Sequence, residues 1–302
     1  MEVVDKVIKQ RRVALLLLTC SALFWSSNFI IGRAVRAEIP PVTLAMGRWF
    51  LAALILLPFA GRGVWQQRQL LLTHWPMVLL LSLLSVTGFN TFVYLGLQTT
   101  TATNGVLILA SMPVFIAFLS RMVLRTPLSG YLISGIALST AGVVVILVRG
   151  SWNLFTAFTI QSGDIWILVA VIDWALYSVL LTFRPQAIKP LNFLLATILI
   201  GVAGLIPFWL WEFIGLKTVD LGVTFWSSTL YIALFPSILA LLFWNRGVQE
   251  VGAATAGQFI HLMPVFGSLM AIQFLGEQMH SYHLYGVVLV AIGLVLASRK
   301  VR

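Results

Sequence analysis

The chain has 302 residues, 60% of them hydrophobic and only 9% charged, with a formal net charge of +10 and a mean hydropathy of +1.00. A soluble domain averages about 25% charged residues, so a wetted globular surface is excluded and a membrane-embedded chain remains. The lone cysteine, Cys20, excludes an internal disulfide.

Apolar runs of roughly 17 to 25 residues suffice to cross a hydrocarbon core about 30 Å thick. Ten of them lie near 13–31, 43–60, 75–97, 101–122, 128–148, 163–182, 191–211, 225–247, 253–275 and 279–297. They predict an all-α polytopic membrane protein of ten transmembrane helices, numbered here spans 1 to 10. The links between them are short and hold most of the charge.

Span 1 follows a basic start, and its "LLTC" (Leu17–Cys20) has the look of a processing site. Nine further spans favour an uncleaved first helix. Polar groups within lipid are costly and usually face the bundle interior, which makes them default site candidates. In span 1 these are Trp25 and Asn28, three residues apart on one helical face. Trp25 also suits the membrane interface. In span 2 Arg48 lies five residues beyond Thr43. It is placed either to snorkel toward the outer interface, the favoured reading, or to engage a substrate carboxylate.

Asn90 and Tyr94 pair in the same way on span 3. Span 6 carries Asp173, Trp174 and Tyr177. Asp173 is ten residues into its span, and a carboxylate at that depth is costly as an ion unless paired or hydrated. It is the candidate for proton coupling or for contact with a substrate ammonium. On span 9, Gln258 and His261 share a face, either in the site or as links to a neighbouring helix. His280 and His283, beside Glu277 at a helix edge, read as surface residues.

No Cys/His cluster suggests a metal, no P-loop suggests direct use of ATP, and no second acid accompanies Asp173. Neither an enzyme nor a cofactor is expected. With the N-terminus placed inside, 14 of the 19 Lys and Arg fall on the inner side. That asymmetry is the positive-inside rule, with both termini cytoplasmic. The charge is therefore topological, and no nucleic-acid partner is expected.

"MPVF" occurs twice, at Met112–Phe115 and Met263–Phe266. At the same shift of 151, Gly96 meets Gly247, Gly135 meets Gly286 and Gly142 meets Gly293. Earlier in each half the shift is 149, aligning Trp25 with Trp174, Asn28 with Tyr177 and Pro41 with Pro190. The chain reads as two five-helix units, 1–150 and 151–302. Because five is odd, the units insert with opposite orientations, an inverted repeat of the kind found in secondary transporters. Pro113 and Pro264 predict matching bends in spans 4 and 9.

"WSSNFIIGRAVRAEIPPVTLAMGRW" (Trp25–Trp49) resembles the opening of the EamA-type ten-helix members of the drug/metabolite transporter superfamily. Trp25, Asn28, Phe29, Pro40, Pro41 and Arg48 match that pattern. "YLGLQTTTATNGVLILASMP" (Tyr94–Pro113) and "LGEQMHSYHLYGVVLVAIGLVLAS" (Leu275–Ser298) resemble later stretches of the same family. Ser26 stands where the family usually has glycine, and Arg125–Thr126 where it often has Gly-Glu. The resemblance implies an exporter of amino acids, related metabolites or small amphipathic compounds.

The sequence expectation is thus an inner-membrane secondary transporter, monomeric or weakly self-associating, exporting amino acids or related metabolites by alternating access. A facilitator or importer of another solute is the alternative, and a membrane enzyme or lipid scramblase the rival of another class. Spans 5 and 10 are expected to buttress their own halves, away from the cavity.

Overall fold

The computed structural model describes residues 2–35, 38–149, 161–215 and 222–299, and these form helices and no strand. The boundary at 150/151, together with Arg36, Lys217, Lys300 and Arg302, lies outside the described residues. Among the described residues nine helices are long and apolar enough to cross a membrane: Ile8–Gly32, Pro41–Gln66, Trp75–Thr99, Asn104–Val123, Gly130–Leu147, Ser162–Phe183, Pro190–Gly215, Val223–Val251 and Ala253–Phe274. They are spans 1 to 9. Span 10 is the shorter apolar helix Ser281–Ala297, with 17 residues and about 25 Å long. In lipid the backbone must satisfy its own hydrogen bonds, which is why so apolar a chain is helical.

Helix pairing is symmetric under exchange of the two halves. Span 2 packs on span 7 and span 5 on span 10, while span 1 meets spans 8 and 9 as span 6 meets spans 3 and 4. The repeated glycines sit at these crossings. A Cβ on Gly135 would lie 2.5 Å from the carbonyl oxygen of Gly293, and one on Gly142 2.7 Å from that of Gly286. Only glycine admits so close an approach of two backbones. Gly247 packs on Leu18 and Gly96 on Ile167. Those residues are counterparts at the offsets 151 and 149. Spans 5 and 10 therefore join the halves to each other, a correction to the buttress expected of them.

The pair of spans 2 and 7 is tied at both ends. Pro41 opens span 2 with no side-chain cap of its own, and Glu212 at the end of span 7 supplies the acceptor instead. It takes bonds from the Val42 N–H at 3.0 Å, the Thr43 N–H at 2.7 Å and the Thr43 hydroxyl at 2.8 Å. At the other end Gln67 Oε1 accepts from the Lys189 N–H at 3.2 Å and Asn192 Nδ2 at 2.7 Å. A carboxylate at a helix N-terminus also complements the helix dipole.

Four irregularities come in two matched pairs. Spans 3 and 8 each contain a π-helical stretch, Leu83–Gly88 and Ala233–Leu239. Span 4 is interrupted at Ala110–Ser111, and span 9 passes through a 3₁₀ turn at Gln258–His261. Pro113 and Pro264 stand in the first turn after each interruption. They start a second helical segment, where a missing N–H costs nothing, rather than bending a continuous one. Pro58 and Pro207, by contrast, lie inside unbroken helices. The first and last described helices meet at one end of the bundle, the termini end, where Arg11 Nη2 donates to the Ser298 carbonyl at 2.6 Å.

Candidate functional site

A cavity of about 660 Å³ lies between the halves. Its mouth, with Arg149, Glu277, Tyr282 and His283, is at the end away from the termini. Its wall draws on every span except span 7. Volume and lining match the usual ligand pocket, mainly apolar with a few convergent polar groups.

The floor is aromatic. Trp25 and Trp174, counterparts in the two halves, meet edge to face with centroids 5.2 Å apart. Phe89 lies 5.2 Å from Trp174, and the buried Trp244 lies 5.3 Å from Trp25 and 5.9 Å from Trp174. Such pairs favour these offset geometries and contribute about 0.5–1.5 kcal/mol each beyond burial. The Trp25 indole N–H donates to the Pro236 carbonyl at 3.1 Å. It thereby satisfies an acceptor within the π-helical stretch of span 8.

Toward the termini the path is shut. The Tyr177 hydroxyl donates to Asn245 Oδ1 at 2.6 Å. Arg184 reaches Gln249 at 3.3 Å and lies over the Phe193 ring. Gly257 of span 9 meets Ile116 of span 4, where an added Cβ would be 3.1 Å from the isoleucine side chain. The counterparts of this last pair are Gly267 and Val106. Both line the open cavity, and nothing lies within 4 Å of a Cβ added at Gly267. One repeat contact is thus closed at the termini end and open at the other.

Arg48 holds the polar side of the cavity. Its guanidinium donates to Asn28 Oδ1 at 3.4 Å and to Asn90 Oδ1. Asn90 in turn donates to the Val86 carbonyl at 2.8 Å, which fixes the orientation of its amide. Across the cavity His261 has Nδ1 2.7 Å from the Ser139 hydroxyl and Nε2 3.1 Å from the Ala110 carbonyl. Ala110 is the residue 151 positions earlier, so the interrupted segments of spans 4 and 9 are bonded to each other at matching points.

Of the residues singled out by sequence, Trp25, Asn28, Asn90, Trp174 and His261 line this cavity together. Tyr94, Tyr177 and Gln258 are outside its lining. Tyr177 belongs to the seal beneath, and Gln258 Oε1 accepts from Ser139 at 3.3 Å behind His261. Asp173 faces the other way, into an apolar groove with Gly88, Thr91 and Phe208. Its carboxylate accepts from the Phe89 N–H, while Oδ2 has no partner. Sequence reasoning left the direction of Arg48 open, with the outer interface favoured, and missed Ser26 and His283 in the cavity lining. His283, expected at the surface, is 6% exposed.

Asp173 offers a direct test of its role. Asp173→Asn keeps an oxygen for the Phe89 N–H, whereas Asp173→Ala leaves that donor unpaired at a cost of about 1–3 kcal/mol. Thermal unfolding in detergent is expected to show the alanine variant, and not the asparagine variant, clearly destabilised. Loss of gradient-driven transport in a stable Asp173→Asn protein would instead assign proton coupling to this carboxylate.

Among the described residues, nine membrane-length apolar helices and a shorter one enclose a cavity open at one end, an architecture typical of membrane transporters. The family model of the EamA-like transporter family matches residues 12–148 and 161–299. The chain belongs to the EamA-like transporter family, a multi-pass membrane transporter of the drug/metabolite type acting on a small-molecule substrate. It is 28% identical over 297 residues to the uncharacterised transporter YyaM of Bacillus subtilis (strain 168), covering 98% of this chain and 96% of that one. An uncharacterised transporter of Archaeoglobus fulgidus is 27% identical over 292 residues, covering 94% and 97%. A solved crystal structure superposes with a TM-score of 0.79 at 18% identity, over 94% of this chain and 96% of the other, and shows the same fold.

Proposed function

We propose that this protein is a secondary transporter of the cell inner membrane that exports amino acids or related small metabolites by alternating access. Residues 1–150 and 151–302 act as the two moving units, and both termini are cytoplasmic. The observation that carries the reading is the unequal state of equivalent contacts. Ile116 touches Gly257 at the termini end, whereas Val106 and Gly267 stand apart at the cavity mouth. Exchanging the conformations of the two halves closes the mouth and opens the termini end around one central site. On the same logic the Tyr177–Asn245 bond has Asn28 and Tyr94 as its counterpart pair, free to approach in the opposite state. Trp25, Asn28, Asn90, Trp174 and His261 would face substrate in both states, and the segment starts at Pro113 and Pro264 would act as hinges.

Flux of labelled amino acids in proteoliposomes, with and without an imposed pH gradient, tests this reading. Gradient-driven accumulation of at least one solute is expected. A facilitator is the second reading, favoured by the position of Asp173 outside the cavity, and it predicts equilibration without accumulation. Absence of flux for every solute, with the protein intact, would sink both.

A further inference from the structure

We propose that Arg48 is the anchor for a substrate carboxylate. The cavity takes a small organic monoanion whose carboxylate meets this guanidinium and whose apolar body lies against Trp25, Trp174 and Phe89. The inference deepens the transporter reading, and rests on it for the statement that the bound anion is cargo.

Arg48 is only 8% exposed, yet it lines the cavity. A guanidinium carries five N–H donors. Here two bonds go to neutral amide oxygens, those of Asn28 and Asn90, and Nε has no partner. Among the described residues no carboxylate lies within ion-pair distance of it. A buried charge without a counter-charge costs several kcal/mol, and at membrane depth it persists beside a wet cavity or a partner. The amides orient the cation without neutralising it. The missing negative charge belongs to whatever fills the cavity.

The repeat argues against a purely structural arginine. Its counterpart, 149 residues on, is Thr197, which is buried and bonds the Leu194 carbonyl of its own helix at 2.9 Å. The packing of the unit does not call for a cation at this position. The arginine stands at the copy of this position that lines the open cavity, and Thr197 at the copy that does not.

The chemistry of the ligand follows from what surrounds the cation. One buried guanidinium suits a monoanion, which it grips through parallel N–H···O bonds. A phosphate dianion calls for a second cation beside the first, whereas Arg149 of the lining lies at the mouth and the groups bonded to Arg48 are neutral amides. Asp173, turned into the opposite groove, gives the floor no acidic partner for a ligand amine. Recognition thus rests on the carboxylate, and an amino group is tolerated rather than read.

The test uses the unaltered protein in detergent and an arginine-selective dicarbonyl, phenylglyoxal, with modification at Arg48 followed by peptide mass spectrometry. Phenylacetate and the uncharged phenylacetamide, of matching size, serve as protecting probes. Arg48 is expected to react through the open cavity. Phenylacetate at about ten times its Kd should slow that reaction about tenfold by mass action. Phenylacetamide should leave it unchanged, and Arg62 should react equally throughout. No reaction at Arg48, no protection by the acid, or equal protection by the amide each overturns the proposal. Proteoliposome flux separates the two readings. Protection without flux of any solute leaves an anion site and removes the transporter mechanism, whereas flux without protection removes the anion site alone.

Discussion

Oxidising a cysteine pair placed at Ile116 and Gly257, in a Cys20→Ala background, should reduce proteoliposome flux to below about a tenth of that of the reduced protein. A Cβ at Gly257 lies 3.3 Å from that of Ile116, a few tenths of an ångström inside the usual disulfide range of about 3.5–4.5 Å. The bond staples span 4 to span 9 beneath the aromatic floor. If alternation requires these spans to part at the termini end in each cycle, the staple holds the far end open and stops turnover. Reduction should restore flux in the same vesicles. Full cross-linking with undiminished flux would mean that the seam never opens, and the alternating mechanism would fail with it.

The counterpart pair should behave in the opposite sense. Cysteines at Val106 and Gly267 face each other across the open mouth, with nothing within 4 Å of the latter's Cβ. With the mouth open they should resist oxidation, and they should link only as the protein visits the inverse state. Once linked, they should seal the cavity, so that a thiol reagent no longer reaches a third cysteine introduced at Asn28. Equally rapid linking at both pairs in the resting protein would contradict the inequality on which the mechanism rests.

Much of this architecture was readable from residue order because the informative residues sit at backbone contacts. Gly135, Gly142, Gly286 and Gly293 align at the 151 offset for the same reason that they touch: each crossing admits no side chain. Hydropathy located the spans, since a helix in lipid carries its signal along its whole length. It could not locate the π-helical stretches at Leu83–Gly88 and Ala233–Leu239. Those stretches are as apolar as the α-helical turns that flank them.

The site was readable in part for an equally physical reason. Helical periodicity says which residues share a face, not which neighbour covers that face. Asp173 and Trp174 are adjacent, hence about 100° apart around their helix. Trp174 turns to the cavity while Asp173 meets Gly88, whose missing side chain makes room for the carboxylate. The shallow depth of Arg48 left its direction open, and contacts with Asn28 and Asn90, from spans 1 and 3, turn its head inward. His283 became a cavity residue because span 10 packs on span 5, a proximity that its own neighbours in the chain do not encode.

The glycine seam between spans 5 and 10 has a further consequence. Gly135 faces Gly293, and Gly142 faces Gly286; at the 151 offset each pair is the other seen from the opposite half. In the language of assemblies this is an isologous interface, a single patch meeting its own image, folded into one polypeptide. A substitution in one unit therefore confronts an unchanged copy of itself and cannot be matched by the same step. Produced as separate chains, 1–150 and 151–302 would each keep a self-complementary edge. Ile146 against Ala297 and Ser139 against Val290 are the differences at this seam that would still favour the other half.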